Sequence, residues 1–275
     1  MNVFAYLFLV LVVVAIIAYI LLKPILKARS REKAASQPFK THWRRIIQRR
    51  MPYFRQMPDH LQLQLKRHIL VFISEKRFVG CQGIEINDDI RITIAAQACL
   101  LLLNRQTDYY PKLKSILVYP RAFVKRHQNI GQDGIHSVKD SVLAGESWGH
   151  GNVVLSWHDT LEGAHLPDDG RNVVIHEFAH QLDQESGSAN GAPILQQSQS
   201  YQQWSQIFAA EFAQLQQRAT RGEPSVFDYY GATNPAEFFA VASEVFFEKS
   251  NELQQFHRSL YEQLSRFYQV DPSAW

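Results

Sequence analysis

The sequence predicts an α+β chain: a small mixed sheet packed on a mainly helical body, preceded by one transmembrane helix. Three observations carry that expectation. Val3 to Leu22 contains no charged side chain, and twenty such residues match the ~20 needed to cross a bilayer as a helix. Ser115-Ile116-Leu117-Val118-Tyr119 and Val153-Val154-Leu155-Ser156-Trp157 are short aliphatic and aromatic runs next to turn residues, and read as strands. Several longer stretches place apolar side chains at helical period.

The apolar N-terminus lacks the marks of a cleaved signal. No basic residue precedes it, and Leu21-Leu22-Lys23-Pro24 offers no small-residue cleavage site. Residues 1–22 are therefore expected as a retained anchor, 23–50 as a basic juxtamembrane linker and 51–275 as the folded domain. Residues 23–50 hold ten Lys or Arg against Glu32 alone; with a net charge of +3 for the whole chain, the remainder carries about −6. Positive charge following the span places the C-terminal bulk in the cytoplasm, and the strip is also suited to anionic lipid head groups. Basic residues confined to one strip beside the span argue against nucleic-acid binding. Cys81 and Cys99 are the only cysteines, with no spacing for a thiolate metal site or a disulfide framework.

Taken in order, Ala28 to Pro38 is polar and reads as a linker. Asp59 is a candidate cap for a helix carrying Leu61, Leu65, Ile69 and Phe72. A second helix is expected from Asp88 or Asp89 through Ala95, Ala98 and Leu102. After the two strands comes a helix containing residues 173–183, capped near Asp168 or Asp169. Residues 184–199, rich in Gln, Ser, Gly and Asn, read as a loop. Helices then follow at about Tyr201 to Gln217, Pro235 to Lys249 and Leu253 to Tyr268.

Within the middle helix, His176-Glu177-Phe178-Ala179-His180 has the H-E-x-x-H spacing. Residues four apart share a helix face, so both imidazoles can reach one ion, with Glu177 beside them as base for a metal-bound water. Imidazole suits Zn²⁺, and a catalytic zinc site uses three protein ligands and leaves one position open. A chance helix with this pattern would bury an unpaired glutamate between two histidines, which is costly.

The third ligand is not fixed by spacing. Asp183 lies on the same face but is too short and too close, and suits a supporting role such as accepting the far N–H of a ligand histidine. The spacing of a third metzincin histidine is absent, since Ser186 stands at that position. Glu237 and Glu244, seven apart, share one face of an apolar helix. Yet Asn234, Pro235 and Glu237 also make a complete helix start, which would account for Glu237 without any metal. Glu244 fits equally a supporting acceptor or a buried partner for an arginine. Tyr229 and Tyr230 are the nearest phenols able to donate to an oxyanion. His136, His150, His158 and His165 read as surface or turn histidines, with His150, between two glycines, the one to follow. Trp148 and Trp157 read as core or cleft-wall aromatics.

Val174 to Asp183 and Asn234 to Glu244 together, with Gly145-Glu146-Ser147-Trp148 and the strand at 153–157, resemble the Mlc titration factor A family of bacterial zinc peptidases over roughly residue 50 to the C-terminus. The family is similar to the catalytic core of anthrax lethal factor, so the resemblance implies a zincin-like peptidase domain over 51–275. It implies His176, His180 and Glu237 as Zn²⁺ ligands, Glu177 as base and Tyr230 as transition-state donor, acting on a peptide or protein substrate. The strand at 153–157 is expected to pair with an extended substrate. The family's name implies binding of the repressor Mlc, a transcriptional regulator, so a regulator-sequestering protein with structural zinc is the competing reading. The family's best-known members resemble soluble proteins; the anchor here instead implies a single-pass protein of the bacterial inner membrane, its catalytic domain facing the cytoplasm.

Overall fold

A computed structural model describes residues 3–130, 136–143, 145–148, 151–165 and 169–275. Helix α1 (Val3–Ala35) leads into α2 (Thr41–Arg50), α3 (Asp59–Glu75), strand β1 (Arg77–Gly80) and α4 (Asp88–Leu100). Strands β2 (Ser115–Tyr119), β3 (Phe123–Ile130), β4 (His136–Leu143), β5 (Gly145–Trp148) and β6 (Asn152–Ser156) follow. The rest is helical: α5 (Trp157–His165), α6 (Val173–Asp183), α7 (Tyr201–Arg221), α8 (Pro235–Glu248), α9 (Ser250–Phe256) and α10 (Arg258–Tyr268).

The main sheet has the order β1-β2-β6-β5, with β1, β2 and β6 parallel and β5 antiparallel to β6. Parallel strands covered on both faces read as continuous aliphatic runs, and Ile116, Val118, Val153, Val154 and Leu155 are all buried. β3 and β4 form a separate antiparallel pair. α4 and α8 are apolar nearly all round and sit in the interior, as such helices must. Trp204, Phe208, Phe238, Phe239 and Phe267 close the core around α7, α8 and α10; the Trp204 and Phe208 rings stack at 4.1 Å.

At the N-terminus, Tyr6–Ala35 is long and apolar enough to cross a membrane, and none of its most apolar window is buried against the protein. The polar stretch expected as a linker is instead helical through Ala35. Its charges find partners on the domain: Lys27 meets Asp108 at 2.7 Å, Arg31 meets Glu75 and Asp108 at 2.6 Å each, and Arg67 meets Glu32 at 3.1 Å. The Arg31 guanidinium also lies 4.7 Å over the Tyr109 ring. Isolated exposed pairs contribute little, but a half-buried cluster around one guanidinium is enough to hold a helix end in place. Similarly, residues 41–50 form α2, with Ile46 and Ile47 buried.

Two further expectations change. The last helix is broken at His257, whose φ of −135° and ψ of 47° separate α9 from α10, and whose Nδ1 pairs with Glu211 on α7 at 2.7 Å. Trp157 begins α5 rather than ending a strand, and packs half-buried against the core.

Candidate metal centre

α6 and α8 meet side by side, and each owes its start to an asparagine. The Asn172 side-chain oxygen Oδ1 accepts from the amides of Val174 (3.1 Å) and Ile175 (3.0 Å). Asn234 does the same for Ala236 and Glu237 at 3.0 Å each, with Pro235 in the first turn. The cap is thus Asn172 rather than Asp169, which accepts instead from the Arg171 amide at 2.8 Å; Asp168 lies outside the described residues. An Asn immediately before an apolar run was the signal that identifies this cap.

From those starts, His176 and His180 project from one face of α6 with ring centroids 4.8 Å apart. Glu237, in the first turn of α8, brings one carboxylate oxygen to both: Oε2 is 3.0 Å from His176 Nε2 and 3.2 Å from His180 Nε2. The donor atoms of these three residues lie within 4.8 Å of one another. Bonds of 2.0–2.1 Å in a tetrahedron put neighbouring donors about 3.3 Å apart, so His-His-Glu as placed fits a single small cation. Glu237 belongs to the helix start, and its geometry is also compatible with the metal-ligand alternative. Its amide joins the helix cap, while its carboxylate faces the histidines.

Around this cluster the carboxylates are differentiated. Glu244, buried on α8, takes the His176 Nδ1 proton at 2.8 Å and accepts from the Asn172 amide with its other oxygen. That bond fixes the ring with Nε2 towards the cluster. The His176 imidazole is therefore held between two carboxylates. Burial disfavours its charge, but Glu244 and Glu237 outweigh burial and raise its pKa well above the usual value. Burial would likewise raise Glu237, yet hydrogen bonds from His176 and His180 hold it down to about 2. Glu177 is also buried, and its Oε2 has no hydrogen-bond partner among the described residues. Burial pushes its pKa up to about 7.

Tyr230 sits on a short turn, residues 229–232, whose start is fixed by Asp228 accepting from the Tyr230 amide at 2.8 Å. Its ring centroid is 5.9 Å from that of His176 and half of the residue is exposed. Burial of the hydroxyl, with Glu237 and Glu177 nearby, raises its pKa to about 12, so it remains a donor. Tyr229 is exposed on the same turn.

Two readings of the sequence are corrected here. Asp183 does not accept from a histidine: its Oδ2 accepts from the Gly191 amide at 2.8 Å, and His180 Nδ1 has no partner among the described residues. The strand at 152–156 is not free to pair with an extended peptide, because β2 flanks it on one side and β5 on the other; β5 is the edge. His150 lies outside the described residues. His158 is exposed on α5 beside Asp159 and Glu162, in keeping with a surface histidine.

The family model for the glucose-regulated metallo-peptidase M90 matches residues 25–269. An uncharacterized protein of Synechocystis sp. is 42% identical over 244 residues, covering 88% of this chain and 89% of the relative. Mlc titration factor A of Salmonella agona is 32% identical over 205 residues, 74% of this chain and 76% of the relative. The protein of that name from Cronobacter sakazakii is 31% identical over 225 residues, 81% and 84% respectively.

Proposed function

The chain belongs to the glucose-regulated metallo-peptidase M90 family, and from that premise we propose that it is a membrane-anchored, zinc-dependent peptidase with a zincin-like domain. The observation that carries this reading is the convergence of His176, His180 and Glu237 on one point beside a buried Glu177 whose Oε2 has no hydrogen-bond partner among the described residues.

In this reading His176, His180 and Glu237 would hold Zn²⁺, which when bound would supply Lewis-acid polarisation of a carbonyl and a more acidic water. Glu177 takes a proton from the attacking water and passes it to the leaving amine; a carboxyl poised near neutrality suits both transfers. Tyr230 donates its hydroxyl proton as a hydrogen bond to the developing oxyanion. Glu244 keeps the His176 ring in one tautomer and orientation. An extended peptide substrate pairs with the edge strand β5, and backbone N-methylation of a good substrate along that register is expected to weaken cleavage. If methylation at every position left cleavage unchanged, β-pairing would be excluded.

The location follows from α1: one helix long and apolar enough to span, with basic residues after it, fits a bacterial inner-membrane protein whose domain faces the cytoplasm. The name of the 32%-identical relatives supports a second reading, a protein that binds a transcriptional regulator with zinc in a structural part. Purified full-length chain in detergent separates the two. Glu177→Gln is expected to keep zinc and to lose peptide hydrolysis by about 10²–10⁴-fold. Turnover within a few-fold of the unaltered chain would remove Glu177 from the chemistry. Regulator binding that survives both chelation and Glu177→Gln, with no cleavage of any peptide, would favour sequestration.

A further inference from the structure

His176 and His180 share a helix, so helix geometry alone fixes their mutual position. Glu237 comes from a different element, and its place relative to them is the free variable of the site. A useful metal site holds its ligands to within about 0.5 Å, so something must set the start of α8 against α6.

Two ties do so. Midway along α8, Glu244 bonds His176 at 2.8 Å. At the beginning of α8 the tie runs through Asp183, one turn beyond His180 and completely buried. Its carboxylate accepts from the Gly191 amide at 2.8 Å. A buried carboxylate needs donors; the Gly191 amide supplies one to Oδ2, while Oδ1 has no partner among the described residues. From the other side, the Trp204 indole N–H donates to the Gly191 carbonyl at 3.0 Å. The glycine is thereby held at φ +78° against the first residue of α8: a Cβ there would stand 2.5 Å from the Pro235 carbonyl oxygen and 2.9 Å from its carbon. Glu237 is two residues further on.

We propose that Asp183 is a positioning residue for the third metal ligand, acting through Gly191 and Pro235 to set where the Glu237 carboxylate stands relative to the two histidines. The proposal rests on the peptidase reading above, in which that carboxylate holds zinc. It also gives the loop after α6 a part in the chemistry: residue 191 is a spacer whose thickness fixes the ligand.

A double-mutant cycle on the full chain in detergent tests this, with Zn²⁺ alone as the probe, read by competition against a chromophoric chelator, and Co²⁺ absorption as a second reading of ligand geometry. Asp183→Ala removes the acceptor of the Gly191 amide. It is expected to weaken Zn²⁺ binding about 10–100-fold, the range for loss of a group that orients a ligand, and to change the Co²⁺ visible spectrum. In a Glu237→Ala background, the same change is expected to shift affinity less than twofold, because the group it positions is gone. Gly191→Ala, which thickens the spacer, is expected to follow the same pattern. Trp204→Phe, which removes the indole donor together with part of a buried ring while leaving Asp183 and Gly191 in place, is expected to follow the same pattern and serves should either of the others fail to fold. Equal losses in both backgrounds would make Asp183 a general stabiliser and overturn the proposal, as would unchanged affinity in both. If the unaltered chain bound no Zn²⁺, the metal reading would fall and this inference with it.

Discussion

Glu244→Gln puts the arrangement of α6 and α8 to a quantitative test. The carboxylate accepts from two donors on α6, the His176 ring N–H at 2.8 Å and the Asn172 amide. A glutamine carbonyl can take only one of them, and its NH₂ then faces the other donor. If the carbonyl stays with Asn172, the ring loses its orienting acceptor. Zinc affinity should then fall about 10–100-fold, or about 1.4–2.8 kcal/mol. If it stays with His176, a buried amide goes unsatisfied at a cost of about 1–3 kcal/mol in the metal-free protein, or about 2–12 °C in Tm for a chain of this size. The two outcomes are complementary, and chelator competition together with calorimetry of the metal-free chain distinguishes them. The expected result is a loss in at least one quantity, with the affinity loss larger if Glu244 chiefly orients the ligand. Unchanged affinity and unchanged Tm together would refute the reasoning, since they would mean that neither hydrogen bond contributes to holding the ring or the helix start.

Other expectations follow from the same geometry. Tyr230→Phe should lower kcat about 10²-fold with KM within threefold and Tm unchanged, because in the proposed mechanism the hydroxyl acts only on the transition state, and the ring is half exposed; an effect confined to KM would place Tyr230 in ground-state binding. Removing zinc by chelation should lower Tm steeply: at a free metal concentration a thousandfold above Kd the ion contributes about 4 kcal/mol, and an unchanged Tm would exclude a folded-state metal site. His68, partly buried and next to Arg67, has its pKa lowered from 6.5 to about 4, so the unfolded chain binds more protons between those values and stability is lost as pH falls through that window. The His68→Gln variant should flatten the loss by up to about 3 kcal/mol; an identical pH slope in denaturant titrations would contradict the assignment. Arg31→Ala removes the pairs to Glu75 and Asp108 and the contact over Tyr109. Tryptic cutting near Lys33 and Lys40 should rise about tenfold, corresponding to ~1.4 kcal/mol of local opening, and an unaltered rate would mean that α1 is held by other contacts.

The parts of this molecule legible in sequence are those written locally. Helical period and an asparagine cap are short-range signals, so the helix bearing His176 and His180 could be read directly, and the Asn-Pro-x-Glu start placed Glu237 in a first turn. The polar stretch after residue 27 was misread because composition records that it is charged but not where the counter-charges lie. Those are at Glu75 and Asp108, distant in sequence, and with them in place a linker becomes a docked helix. Asp183 was misread for a related reason. Its spacing puts it on the histidines' face, but at the last turn of a helix a short carboxylate is nearer to the unpaired amides of the following loop than to a ring one turn back. The strand at 152–156 reads the same whether it lies at an edge or in the interior, since only its neighbours decide, and the β5 run carries no strong strand pattern of its own. The metal centre divides along the same line. On the proposed reading two ligands follow from the pitch of one helix, whereas the third would depend on Glu244 reaching His176 across 68 residues and on a glycine fitted against Pro235. On that reading a substitution that leaves every motif intact, such as Gly191→Ala, is expected to weaken metal binding, because a Cβ there would meet the Pro235 carbonyl at 2.5 Å.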